Sequence, residues 1–135
     1  MAHINWIKEY SVGVELIDEQ HRYFLTLLNE LFDAIISLNT ESKIGDIITR
    51  LAEYAVMHFA TEEKYFDEFN YEFAEDHKRR HRDLLARVEG FQKAFDEGEV
   101  NIASEMIEFL EGWMIDHIME VDKKYVRCFE EHGLQ

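Results

Sequence analysis

His58 and Glu62 stand four residues apart, and so do His77 and His81. Residues at that spacing share one face of a helix about a turn from each other, so each pair can converge on a single site. Further along, His117 is followed five residues later by Asp122, and His21 lies near the start of the chain. Imidazole nitrogens and carboxylate oxygens in such pairs are metal-binding chemistry. Any one of them read alone is more simply a hydrogen-bonded core histidine, and a single His-x-x-x-Glu or His-x-x-x-His arises often by chance. These residues differ because they continue apolar stripes. Ile44, Ile47, Leu51, Ala55, His58 and Glu62 follow one another at steps of three and four, as do His77, His81, Leu84, Val88, Phe91 and Phe95. The polar side chains occupy core positions.

The elements that must position them are read from the 3.6-residue period of amphipathic helices. Residues 18–38 carry Leu25, Leu28, Phe32 and Ile35, and residues 43–66 carry Ile44, Ile47, Ile48, Leu51 and Ala55. Residues 73–95 carry Leu84, Val88, Phe91 and Phe95, and residues 102–130 carry Ile102, Met106, Phe109 and Trp113. Asn39-Thr40-Glu41-Ser42 offers N-cap side chains at the first break. Asn70-Tyr71 marks the second, and Asp96-Glu97-Gly98 ends the third helix with a glycine suited to a left-handed residue. Connections this short make sequential helices antiparallel neighbours. The expected fold is all-α: one domain over residues 1–135, an antiparallel up-down-up-down four-helix bundle. Residues 1–17 form an N-terminal arm, with Trp6, Tyr10 and Val14 packing onto the bundle. A chain of 135 residues, 47% hydrophobic and without proline, can bury one core of this kind.

Counting from the breaks gives depth. His21 precedes residue 40 by 19 positions and His58 follows it by 18, roughly 27–29 Å along an axis rising about 1.5 Å per residue. His77 and His81 precede residue 98 by 21 and 17 positions, and His117 follows it by 19. In an up-down-up-down bundle five imidazoles therefore share one height. Burying so many polar groups without partners costs several kcal/mol each at the high end, and a metal satisfies them together.

One tetrahedral zinc needs four ligands, fewer than this layer offers. The chain has neither the His-Glu-x-x-His of zinc proteases nor the Glu-x-x-His of carboxylate-rich di-iron bundles. Imidazoles with a few carboxylates suit iron, although zinc, copper and nickel also accept imidazole. The spacing of His117 and Asp122 is about 140° around a regular helix. It calls for a widened or broken turn near residues 118–121.

His21, His58-x-x-x-Glu62, His77-x-x-x-His81 and His117-x-x-x-x-Asp122 resemble the ligand pattern of the hemerythrin family, specifically its single-domain bacterial members. The resemblance spans nearly the whole chain, from Trp6 to Tyr125, and fills all seven ligand positions with the family's residue types. It implies reversible binding of dioxygen, for transport, storage or delivery, at two iron ions bridged by an oxo or hydroxo group. Carried over, His77, His81 and His117 would bind one iron, His21 and His58 the other, and Glu62 and Asp122 both. Five imidazoles, two bridging carboxylates and the bridging oxygen then fill all but one position of two octahedral ions. The vacancy falls on the iron with two histidines, and Trp113, Phe24, Phe59, Ile118 and Met119 would wall it as an apolar oxygen pocket. The resemblance implies a binding protein rather than an enzyme. A di-iron oxidase or peroxidase, or an oxygen- or iron-sensing module, stands as the alternative.

Other residues take lesser roles. Asp18, Tyr54 and Tyr125 stand one turn from ligand positions, where they would orient imidazoles as hydrogen-bond acceptors or donors. His3 and His132 are expected in solvent, and Cys128 as an inert thiol. A formal charge of −15, from 29 acidic and 14 basic residues, repels phosphate backbones and anionic lipid headgroups. Neither nucleic acid nor a membrane is an expected partner, and the acidity favours a monomer. A single cysteine excludes an intrachain disulfide. With no apolar leader and no run of ~20 apolar residues, a cytoplasmic location is expected.

Overall fold

Each of four long helices turns one apolar stripe inward: Leu27, Leu28 and Leu31; Ile47, Ile48 and Leu51; Leu84, Val88 and Phe91; Met106, Ile107 and Leu110. Full burial of each such side chain contributes about 1.5–3 kcal/mol. The stripes meet in a computed structural model that describes residues 4–36, 41–99 and 101–135. Helices α1 (Glu15–Ile36), α2 (Glu41–Glu68), α3 (Ala74–Asp96) and α4 (Ile102–Asp116) form the antiparallel up-down-up-down bundle, with α4 closing back on α1. Among the described residues there is no strand, and no helix is long and apolar enough to cross a membrane.

The helix ends follow from local chemistry. At the α2–α3 turn, Asn70 takes φ +52° and the Tyr71 N–H donates to the Phe66 carbonyl at 2.9 Å. That is a Schellman closure with asparagine in the left-handed position. Gly98 does the same for α3 at φ +82°, with its N–H on Phe95 and the Glu99 N–H on Ala94. The fourth helix is not continuous. After α4 the chain widens into a π turn over His117–Val121, where the Asp122 N–H donates to the His117 carbonyl. It then tightens into a 3-10 turn (Asp122–Tyr125) and ends in α5 (Val126–Glu131).

Helix α1 starts at Glu15, three residues before the expected position, because Asp18 does not begin it. The Asp18 N–H already donates to Val14, while its carboxylate accepts from the Ser11 hydroxyl at 2.5 Å and the Val12 N–H at 2.9 Å. Asp18 holds the arm, not the helix end. The arm therefore ends near Val14, with Tyr10 and Val14 buried and Trp6 packed against the core. Helix α2 begins at Glu41, inside the segment expected to be a break. Asn39, Thr40, the expected end of the first helix at Leu38, and His3 lie outside the described residues.

Two apolar clusters divide the interior. The larger includes Phe24, Leu28, Leu51, Phe59, Leu84, Met114 and Ile118. The smaller joins Val12, Val14, Ile17, Phe66, Tyr71, Tyr125 and Phe129. On every helix the polar ligand-type residues fall between members of the two clusters, as His21 does between Ile17 and Phe24, and Glu62 between Phe59 and Phe66. The result is a thin polar layer with hydrocarbon above and below.

Candidate metal centre

That layer brings all seven candidates together. His21 comes from α1, His58 and Glu62 from α2, His77 and His81 from α3, and His117 and Asp122 from the two ends of the π turn. None is more than 3% exposed. The Nε2 atoms point inward: those of His21 and His58 are 3.1 Å apart, and those of His77 and His117 also 3.1 Å. Asp122 Oδ1 lies 3.0 Å from His77 Nε2 and 2.9 Å from His117 Nε2, while its Oδ2 lies 3.3 Å from His21 Nε2. Glu62 Oε1 is 3.4 Å from His58 Nε2 and 3.2 Å from His81 Nε2. The extra residue of the π turn lets side chains five apart face one point.

Two outer partners set ring tautomers. His58 Nδ1 is 2.6 Å from Gln20 Oε1. The Gln20 amide nitrogen is committed to Thr61 Oγ1 and Met57 Sδ, both at 3.2 Å, and the Thr61 hydroxyl is itself committed as donor to the Met57 carbonyl. The oxygen of Gln20 thus faces His58, whose Nδ1 carries the proton and whose Nε2 presents a lone pair. His81 Nδ1 meets Glu63 Oε2 at 2.8 Å, which turns the lone pair of the neutral ring inward in the same way.

Electrostatically the layer awaits a cation. Burial pushes His58 down from the ordinary 6.5 to about 3, against the pull of Glu62, so the ring is neutral. Burial pushes Glu62 and Asp122 up, and the Asp122 charge pushes Glu62 further, but the imidazoles around them outweigh these effects and hold the two carboxyls below their ordinary range. For His81, burial opposes the charged form, yet Glu62 and Glu63 carry its pKa above the ordinary value. Both oxygens of Asp122, Oε1 of Glu62 and Nε2 of His81 are buried without a hydrogen bond. Their distances suit ion pairing and their angles do not suit hydrogen bonding. Such orphaned lone pairs are costly in an apolar interior and are what metal ions satisfy.

The donors fall into two four-atom groups, each with its atoms within 4.8 Å of one another: Glu62, His77, His81 and His117; and His21, His58, Glu62 and Asp122. Glu62 belongs to both, and the two Asp122 oxygens reach imidazoles of both. Imidazole-rich sites with shared carboxylates suit a pair of iron ions.

Aromatic rings hold the imidazoles from behind. Phe59 stacks on His81 at 3.8 Å, Trp113 on His117 at 4.2 Å, Tyr54 on His58 at 5.4 Å and Tyr125 on His77 at 5.8 Å. The Tyr125 hydroxyl also donates to Glu62 Oε2 at 2.6 Å. A buried hydrogen bond to a charged group contributes about 1.5–3 kcal/mol. Tyr125→Phe should therefore lower stability by about 2 kcal/mol in denaturant titrations; an unchanged midpoint would mean the bond carries no weight.

Beside His21, His58, His117 and Asp122 lies a small cavity of about 20 Å³, its apolar wall formed by Phe24, Tyr54, Ala55, Phe59, Leu84, Trp113, Met114 and Ile118. Of the residues expected to wall an oxygen pocket, Phe24, Phe59, Trp113 and Ile118 line this cavity. Met119 does not line it. It follows Ile118 by one residue, a step further around the π turn, and packs half-buried against the core instead.

Three further expectations are corrected. Asp18 holds the arm and reaches no imidazole. Tyr54 stacks on His58 and lines the cavity rather than hydrogen-bonding a ring, and the hydrogen bond of Tyr125 goes to Glu62. The groups that do orient imidazoles, Gln20 and Glu63, were missed. Each is the chain neighbour of a ligand-type residue, His21 and Glu62, and adjacency to a buried polar position was the available signal. His132 is exposed but stacks on Phe69 at 4.4 Å, and its Nδ1 lies 2.8 Å from the Cys128 carbonyl. Cys128 is half-buried and unpaired.

A four-helix bundle carrying a buried His/Glu/Asp cluster suited to two metal ions defines a class of helical non-haem metalloproteins. Residues 12–129 match the family model of the hemerythrin HHE cation binding domain, and the chain belongs to the hemerythrin family. It is 33% identical over 132 residues to the bacteriohemerythrin of Stenotrophomonas maltophilia (strain R551-3), covering 98% of this chain and 85% of that protein. It is 33% identical over 129 residues to the bacteriohemerythrin of Methylococcus capsulatus, covering 95% and 98%. The crystal structure of a wild-type hemerythrin superposes with a TM-score of 0.87 at 31% identity, covering 94% of this chain and 98% of that one.

Proposed function

We propose that this protein binds dioxygen reversibly at a non-haem di-iron centre, as a carrier or store. In this reading His77, His81 and His117 hold one iron, His21 and His58 the other, and Glu62 and Asp122 span both. Two ferrous ions held there would supply the electrons and the open coordination position that dioxygen binding needs. The observation that carries the reading is the cavity: it borders both imidazoles of the smaller group, His21 and His58, and only His117 of the larger. Its volume of about 20 Å³ accommodates a ligand of water or diatomic size, which favours carriage over an oxidase acting on an organic substrate. Phe24, Phe59, Trp113 and Ile118 keep water out, and Tyr125 holds Glu62 in place. The charge and the single cysteine support a monomer in a reducing cytoplasm, which sedimentation and fractionation would check.

The test is anaerobic loading with ferrous iron followed by oxygen. A visible absorption band that appears with oxygen and fades on degassing, over several cycles, supports carriage. Irreversible bleaching with consumption of a reductant contradicts it.

Trp113 gives a sharper test of the dry pocket. Across its ring lies an outer polar cleft lined by Arg80, Asp116, Glu120 and Val121, which Trp113 and His117 also line. Trp113→Ala joins the cleft to the cavity and admits water to the centre. The loaded variant should autoxidise at least about tenfold faster, the equivalent of 1.4 kcal/mol of barrier; an unaltered rate would remove Trp113 from this role.

A further inference from the structure

We infer that the two metal seats are unequal by construction, Glu63 making the His77, His81 and His117 seat the tight one and Gln20 leaving the His21 and His58 seat the weak one, so that iron fills them in that order. This rests on the di-iron reading above.

The group behind an imidazole fixes its orientation and its strength as a donor, and removing such a group typically costs 10–100-fold in metal affinity. The partners here differ in charge. Behind His81 stands the Glu63 carboxylate at 2.8 Å. Behind His58 stands the neutral amide oxygen of Gln20 at 2.6 Å, which orients the ring without adding charge. Among the described residues His21 Nδ1 is buried without a hydrogen-bond partner, and His77 and His117 hydrogen-bond through Nε2 alone. The seats thus differ in the one backed ring of each, backed by an anion in the first and by a dipole in the second.

Three more features lean the same way. The first seat has three imidazoles and the second two. Asp122 lies nearer the first, at 2.9 and 3.0 Å from His117 and His77 against 3.3 Å from His21. Two of the first seat's three rings are also stacked more closely, with Phe59 at 3.8 Å and Trp113 at 4.2 Å against Tyr54 at 5.4 Å, while Tyr125 lies 5.8 Å from the third, His77. The cavity borders both imidazoles of the weak seat and only His117 of the tight one. A chain holding a single iron would therefore lack the ion whose imidazoles both face the cavity, and the second ion would decide whether the protein can take up oxygen. The weak seat is then the point at which iron supply controls function.

The experiment is an anaerobic calorimetric titration of the metal-free protein with ferrous iron against a competing chelator. Two steps at least tenfold apart are expected. His21→Ala should abolish the weaker step and keep the stronger. Glu63→Gln should weaken the stronger step 10–100-fold and leave the weaker within threefold. Gln20→Glu should tighten the weaker step alone. Because it adds a charge rather than removing one, this variant decides the matter even where Glu63→Gln does not fold. Two equal steps in the wild type, Glu63→Gln shifting both steps alike, or Gln20→Glu leaving the weaker step unmoved would each overturn the inference while sparing the di-iron reading. Binding of fewer than two ions at any iron concentration would overturn both.

Discussion

Asp122→Asn should empty the centre while leaving the bundle folded. Asp122 is the one side chain whose two oxygens reach imidazoles of both donor groups, Oδ1 toward His77 and His117 and Oδ2 toward His21. Asparagine keeps the shape but removes one of only two negative charges facing the ions. It also replaces a lone-pair oxygen with an NH₂ group aimed at imidazole nitrogens. The loss in iron affinity should exceed the roughly 10–100-fold typical of an outer partner, so iron content after desalting should fall from two ions per chain to one or none. The metal-free variant should stay folded and melt close to metal-free wild type, because new hydrogen bonds offset the lost attraction between the carboxylate and the imidazoles. The new amide can donate to inward-facing Nε2 atoms, whereas both Asp122 oxygens are buried without hydrogen bonds. Elemental analysis and thermal unfolding check the two halves separately. A variant that retains two irons would show that Asp122 is not a shared ligand.

Removing the metal from the wild type should have the second large effect, and it should depend on pH. An ion present at a thousand times its dissociation constant stabilises the folded state by about 4 kcal/mol. Two ions together should therefore raise the melting temperature by on the order of 20 °C at neutral pH, taking a few degrees per kcal/mol. In the metal-free protein His58 carries the acid sensitivity. Its folded pKa of about 3 lies below the ordinary 6.5, so the unfolded chain binds the extra proton between those values. Stability is lost as pH falls through that window, by up to about 1.4 kcal/mol per unit. Glu62 and Asp122, held below their ordinary range, add to the loss as pH drops through their folded values. His81 acts oppositely, because its raised pKa contributes stability that is present in acid and lost as pH rises. Metal-free protein should thus weaken steadily from about pH 6.5 downward, and the gap between loaded and metal-free forms should close in the same range as protons compete for the ligand nitrogens. Calorimetry at pH 7 and pH 5 checks this. Equal melting temperatures for both forms at neutral pH would contradict it.

The all-α bundle and the polar layer were legible because both are periodic. A histidine that continues a run such as Ile44, Ile47, Leu51 and Ala55 must face inward, and counting from short breaks gives its height. The π turn was legible for the opposite reason: a step of five positions from His117 to Asp122 does not fit one face of a regular helix, so only a local defect lets both point one way. What escaped detection depends on distances between helices, which periodicity does not carry. Gln20 reaches His58 across the α1–α2 seam, and Glu63 reaches His81 across α2–α3; in sequence each looks like surface beside a ligand. Asp18 was misjudged because a carboxylate one turn before His21 reads as a partner for an imidazole, when it captures Ser11 and Val12 of the arm. Met119 was misjudged because proximity in sequence to His117 says little about direction.

The most direct test of the whole account is anomalous diffraction at the iron edge from crystals of the iron-loaded protein. Two peaks per chain are expected, one within bonding distance of Nε2 of His77, His81 and His117, the other of His21 and His58, with Glu62 and Asp122 between them. A single peak, a peak outside this layer, or any of the five Nε2 atoms turned away from the ions would contradict it.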